Sequence, residues 1–133
     1  MYSFVQETRG GGIIDFKRRH FIFAPKNLEG YNHFEYFIED PENVHEEELT
    51  EEEYDALYWG KPSFFDLCYE KWKVLVGLWE EAQLPAEHVA EALELANAMI
   101  AKSSNPAEIS GLEKVKRALE VAVKSGYYIE FDN

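Results

Sequence analysis

From Tyr31 to Trp59 the chain reads YNHFEYFIEDPENVHEEELTEEEYDALYW, and the fold turns on where strand-like residues give way to a helical pattern. YNHFEYFIE is dense in aromatic residues with imperfect alternation, and it reads as a strand. At the far end Thr50 and Glu53 have the spacing of a capping box, which predicts a helix through EEEYDALYW that Gly60 and Pro62 stop. Pro41 and Asn43 mark the segment between them as a loop. The chain is therefore read as β before this stretch and α after it.

Working outward toward the start, YSFVQET, GIIDF and RHFIFA are three further strand candidates. They are separated by turn residues at Gly10–Gly12, at Pro25–Asn27 and at Glu29–Gly30. The three glycines suit a hairpin loop that needs positive backbone dihedrals. They are not a phosphate loop, because no lysine followed by serine or threonine comes after them, and they lack dinucleotide-fingerprint spacing.

Working toward the end, Ser63 with Asp66 repeats the capping logic and opens a helix read as running to about Gln83. Its stripe is Phe65, Cys68, Trp72, Leu75, Val76 and Trp79, widened by Leu67, Val74 and Leu78. Pro85 suits the first position of a helix that places Val89, Leu93, Ala96 and Ile100 on one face. Asn105, Pro106 and Glu108 mark another start, with Ser110 and Glu113 as a restart burying Leu112, Val115, Leu119 and Ala122 before Gly126. YYIEF closes as a strand beside the N-terminal ones. The expected fold is α+β: a small, mostly antiparallel sheet of N-terminal strands plus a C-terminal strand, packed against three or four helices.

With 133 residues, 46% of them hydrophobic, the chain is expected to fold as a single domain over residues 1–133. The lone Cys68 has no disulfide partner, the N-terminus MYSFVQETRG lacks signal-peptide character, and charges interrupt every apolar run short of the roughly 18 residues a membrane span requires. A cytoplasmic location is expected.

The net charge is −13, and it is unevenly placed. Residues 36–60 contain ten carboxylates and no lysine or arginine, whereas residues 1–35 hold five basic and four acidic side chains. Such a block favours a cationic partner and repels nucleic acid and anionic membrane. FKRRHF is the only basic cluster; its alternation divides Lys17 and Arg19 from Arg18, and pairing within the chain with the acidic block, or the rim of an interface, suits it better than phosphate contact.

Catalytic and metal chemistry find little support. Glu42 and His45 are spaced as in half of a carboxylate-bridged di-iron site, but the second half is missing. His20 and His33 on adjacent strands, with Asp15 or Glu35 nearby, would suit a metal-dependent hydrolase; beside aromatics such histidines more often serve structure. Cys68 and His88 sit without a catalytic setting. No catalytic residue, metal or cofactor is expected.

Helix-dipole stabilisation accounts for Glu51, Glu52 and Glu53. It leaves Glu39, Asp40, Glu42, Glu46, Glu47 and Glu48 as like charges whose repulsion a basic partner would relieve, with faster association as the gain. Tyr54, Tyr58 and Trp59 are the ring types that anchor interfaces. The surface expected to meet a basic protein is therefore Glu39, Asp40, Glu42, Glu46, Glu47, Glu48, Glu51, Glu52, Tyr54, Asp55, Tyr58 and Trp59.

By size, acidity, single-domain α+β character and lack of an active-site motif, the chain resembles the immunity proteins that bacteria make against their own secreted toxins, including those of contact-dependent growth inhibition. The resemblance is one of general character over the full length and transfers no residue assignments. It implies stoichiometric binding of a cognate basic toxin domain, a nuclease in the first instance, with no nucleic acid or membrane partner. Other readings of the same residues are a nucleic-acid mimic that inhibits DNA-binding proteins, an adaptor using the aromatic surface, and the hydrolase above.

Overall fold

A computed structural model describes residues 3–6, 14–17, 19–60, 62–77 and 81–133. Its main sheet grows from β3 (His20–Pro25), whose alternation sends Ile22 and Ala24 to one face and Phe21 and Phe23 to the other. β4 (Val44–Leu49) and β6 (Ile129–Asp132) flank it, and β5 (Glu81–Leu84) pairs with β6, giving the order β4-β3-β6-β5 with every pairing antiparallel. β1 (Ser3–Gln6) and β2 (Ile14–Lys17) form a separate antiparallel pair with Val5 opposite Asp15. With five α-helices among the described residues beside this sheet the fold is α+β, as expected, and the C-terminal strand joins an N-terminal one.

The central helix is α5 (Pro106–Ser125). Asn105 caps it, its side chain accepting from the Ala107 N–H at 3.0 Å; Pro106 needs no such partner, and Gly126 ends it at φ 83°, a conformation that favours glycine. Its buried face is Leu112, Val115, Ala118, Leu119 and Ala122. Each leucine there contributes about 2 kcal/mol by leaving water. This face lies on the inner side of the sheet and on α4 (Val89–Lys102) and α2 (Glu51–Trp59). The expected restart at Ser110 does not occur: the helix is continuous there, and the Ser110 hydroxyl donates to Glu53.

Other expectations are corrected as well. YNHFEYFIE is not a strand, because α1 (Leu28–Glu35) occupies most of it. The Asn27 side chain accepts from the Gly30 N–H at 2.8 Å, and a Cβ on Gly30 would stand 1.9 Å from the Asn43 carbonyl oxygen, so only glycine lets the helix approach β4 this closely. Tyr31 and Phe34, three apart, then pack on Tyr127 and Phe23, each at 5.1 Å between ring centres. The loop expected around Pro41 and Asn43 ends at Asn43, where β4 begins.

The helix opened by Ser63 is also shorter than expected: α3 (Phe64–Trp72) stops where Lys73 takes up φ 60°, and β5 replaces its expected end. Beyond Lys73 the burial has period two, with Val74 and Val76 inside and Leu75 60% exposed, which suits extended chain and not a helical stripe. Pro85 precedes a single 3₁₀ turn, Ala86–His88, and α4 starts only at Val89. The Gly10–Gly12 loop, Arg18, Leu78 and Trp79 lie outside the described residues. Among the described residues no helix is long and apolar enough to cross a membrane.

Candidate functional site

The acidic block is split between β4 and α2, and half of it is answered from within the chain. Strand alternation turns Glu47 toward α5, where the Arg117 guanidinium makes two bonds to it at 3.0 and 2.9 Å and His45 approaches at 2.7 Å. Burial opposes the Glu47 charge, but Arg117 and His45 outweigh it and hold the carboxyl below its usual range. Glu48 faces the other way and receives two bonds from Arg19, at 3.0 and 2.8 Å, which lower it as well. Arg19 itself lies over the Phe21 ring at 4.8 Å, so pairing of the basic cluster with the acidic block is realised through Arg19.

Glu53 is the most enclosed of the group. Burial works against its charge, but Lys114 at 2.8 Å, Ser110 and the Thr50 N–H at 2.8 Å prevail and its pKa is lowered. Glu51 meets His20 at 2.7 Å, and Asp40 is held low by the Asn43 amide at 2.9 Å and His33 at 2.7 Å. Arg19, Lys114 and Arg117 reach the block from 29 to 70 residues away in sequence, which is why the segment looks uncompensated when read alone.

Glu39, Glu42, Glu46, Glu52 and Asp55 remain exposed, with no side-chain hydrogen bond or ion pair among the described residues. Glu46 nonetheless adds to the negative field at Arg19. Glu39 and Glu42 lie on the turn from α1 to β4, and Glu46 lies on the outer edge strand. Glu52 and Asp55 lie on α2, where with Trp59, 67% exposed, they line a cavity of about 860 Å³ bordered by Lys102 and Glu108. Tyr54 is corrected: it is only 1% exposed, stacked on the His20 ring at 3.9 Å, and belongs to the core. Tyr58 is half-buried against that core.

The turn after α1 carries Tyr36, Phe37 and Ile38 outward, with Phe37 91% exposed. Phe37 adopts φ 60°, which costs a side-chain-bearing residue about 1–2 kcal/mol, and its N–H closes the helix end on the Phe34 carbonyl at 3.1 Å. Behind this tip, over the sheet's outer face, lies a recess of about 400 Å³. Among the described residues, seven of those lining it are carboxylates and none is a lysine or arginine; Phe23, Phe34 and Val44 supply its apolar wall.

Its floor was missed in the sequence. Glu130 and Asp132 occupy alternate positions of β6 that face away from α5, and Glu81 and Gln83 are their register partners on β5. The signal was available in the period-two spacing of EAQL and IEFD. Glu130 is buried beside Asp132, and both effects push its pKa up to about 8 against a hydrogen bond from Gln83 at 2.9 Å.

The hydrolase constellation does not assemble. His33 lies on α1 and His20 in the core, bonded to Glu51 and Asn133, while Glu35 accepts from the Tyr128 hydroxyl. The Asp15 side chain lies outside the described residues. His88 stacks on Trp72 at 5.7 Å, and burial raises the Cys68 thiol to about 12, which leaves it protonated at neutral pH. No known protein family, curated protein or solved structure matches the chain.

Proposed function

We propose that this chain binds a cationic protein one to one and neutralises it, in the manner of an immunity protein acting on a basic toxin domain such as a nuclease. The partner docks across the turn from α1 to β4. The observation that carries this reading is the exposed, backbone-strained Phe37 beside carboxylates without counter-charge and a recess lined by no lysine or arginine, both among the described residues. Strain at an exposed ring needs compensation elsewhere, and burial in a partner supplies it. Glu39, Glu42 and Glu46 steer a positive surface toward the turn, while Tyr36, Phe37 and Ile38 provide short-range contact. A nuclease suits the partner role because a cleft that binds a polyanion is itself positive.

Affinity capture of the cognate partner, identified by mass spectrometry and then purified, allows stopped-flow measurement. Replacing Glu39, Glu42 and Glu46 together with glutamine is expected to slow association about tenfold at low salt, and to flatten its salt dependence, without changing dissociation. These three are chosen because Glu47, Glu48 and Glu53 hold the fold. Phe37→Ala is expected to speed dissociation at least about tenfold, since truncating an interface anchor commonly costs 2 kcal/mol or more. Trp59→Ala is expected to leave both rates unchanged; a response at Trp59 with none at Phe37 moves the docking face to α2. A captured partner that is bound but keeps its activity makes the chain an adaptor and overturns neutralisation.

A further inference from the structure

Below the docking rim, the recess holds a group of carboxylates that the proposed docking does not use. Glu130 and Asp132 lie two apart on β6, and Glu81 stands opposite Asp132 on β5. One oxygen from each lies within 4.8 Å of the other two. Glu130 and Asp132 are only 6% and 5% exposed. Gln83 donates one bond to Glu130, but Asp132 Oδ1 is buried with no hydrogen-bond partner among the described residues. Two desolvated carboxylates and a third at their side, with no lysine or arginine lining the recess among the described residues, are relieved either by a proton on Glu130 or by a cation that takes its place.

We propose that Glu81, Glu130 and Asp132 form a binding site for a hard divalent cation of calcium size. Oxygen is the only ligand type the three offer, which disfavours zinc, whose structural sites draw on nitrogen and sulfur. Calcium bonds oxygen at about 2.3–2.6 Å, so ligands on opposite sides of it stand roughly 5 Å apart, a span that admits ligand atoms within 4.8 Å of one another. Magnesium, at about 2.0–2.1 Å, demands near-ideal octahedral geometry and gives up its waters reluctantly, which suits three carboxylates held on two strands less well. Two hydrogen-bonded strands hold the three side chains in fixed register, and water entering the recess completes the coordination. This site stands apart from the docking reading, because none of its ligands is among the rim carboxylates replaced above.

The test is titration of CaCl2 into the full chain stripped with EDTA, followed by calorimetry and by thermal unfolding, with MgCl2 as the size control. Expected are a saturable one-to-one heat and a rise in Tm on the order of 5–10 °C at a hundredfold excess over Kd. Asp132→Asn is expected to raise the Tm in EDTA, by removing like-charge repulsion, and to abolish the calcium-dependent rise. Glu81→Gln, at an exposed position of the edge strand, is expected to weaken calcium binding about tenfold, and it decides the matter if Asp132→Asn does not fold. Absence of a saturable heat up to about 10 mM calcium, the weak end of known calcium sites allowed for generously, overturns the site. So does an equal response to MgCl2, or a wild-type response in both variants. None of these outcomes bears on the docking rates of the rim variants.

Discussion

Lys114→Met is expected to destabilise the fold by about 3 kcal/mol at neutral pH. The Lys114 ammonium, on α5, donates to Glu53 Oε1 at 2.8 Å and to the Glu48 carbonyl at 2.7 Å, so one charge joins α5 to the start of α2 and the end of β4. The Glu53 side chain is 7% exposed, and removing its cation leaves a carboxylate in the interior. Breaking a buried pair from one side commonly costs about 3–5 kcal/mol. The lower end applies because Glu53 keeps the Thr50 N–H and the Ser110 hydroxyl. Methionine preserves most of the apolar stem, so lost packing contributes little. Adding Glu53→Gln to Lys114→Met is expected to recover more than half of the loss, since the unpaired charge disappears with it. Urea unfolding of the two variants decides the matter: a single-variant loss below about 1 kcal/mol means that solvent, not Lys114, balances Glu53.

The second large effect concerns pH. Glu130, raised to about 8 by burial and by Asp132, has an ordinary value of 4.5 in the unfolded chain. Between those values the folded state binds more protons than the unfolded one, so stability falls as pH rises. Taken whole, the difference corresponds to roughly 5 kcal/mol; water reaching this open-sided recess reduces the expected loss to about 2 kcal/mol between about pH 5 and about pH 8. On the acid side the sign reverses. Asp40, Glu47, Glu48 and Glu53 have lowered pKa values, so the stability they contribute is lost as pH falls below 4. A maximum near pH 5 is expected, and Glu130→Gln is expected to remove the alkaline decline while leaving the acid limb in place. Denaturant midpoints measured across pH in EDTA check this; a wild-type curve that is flat from pH 5 to 8 contradicts it.

Where folding signals are local, the sequence was readable. Thr50 with Glu53, Ser63 with Asp66, Asn105 before Pro106, and Gly126 each act within one turn, and each stands where its spacing placed it. α1 was hidden because its aromatic residues suit strands, while its cause lies in Asn27, Gly30 and the distant Asn43 carbonyl. β4 was hidden for the opposite reason: EEE is poor strand sequence, and Arg19, Lys114 and Arg117 make it tolerable only after the chain has folded back. The same distance effect divided the expected surface, drawing Glu47, Glu48 and Glu51 into the fold and leaving Glu39, Glu42 and Glu46 outside. Tyr54 shows a further reason: composition identifies an anchoring ring but not the side of the helix on which it stands.

The position of β6 between β3 and β5 has a consequence for synthesis. Phe21 and Asp132 are hydrogen-bonding neighbours, yet more than a hundred residues must be polymerised between them. At ordinary ribosomal speeds that interval lasts roughly 5–20 s. During it, the antiparallel pair of β3 and β4, joined through α1, exposes one unpaired edge, Phe21-Ile22-Phe23, to solvent. A nascent chain stalled before Ile129 thus carries a sticky, half-finished sheet that chaperones or proteases meet before any partner does.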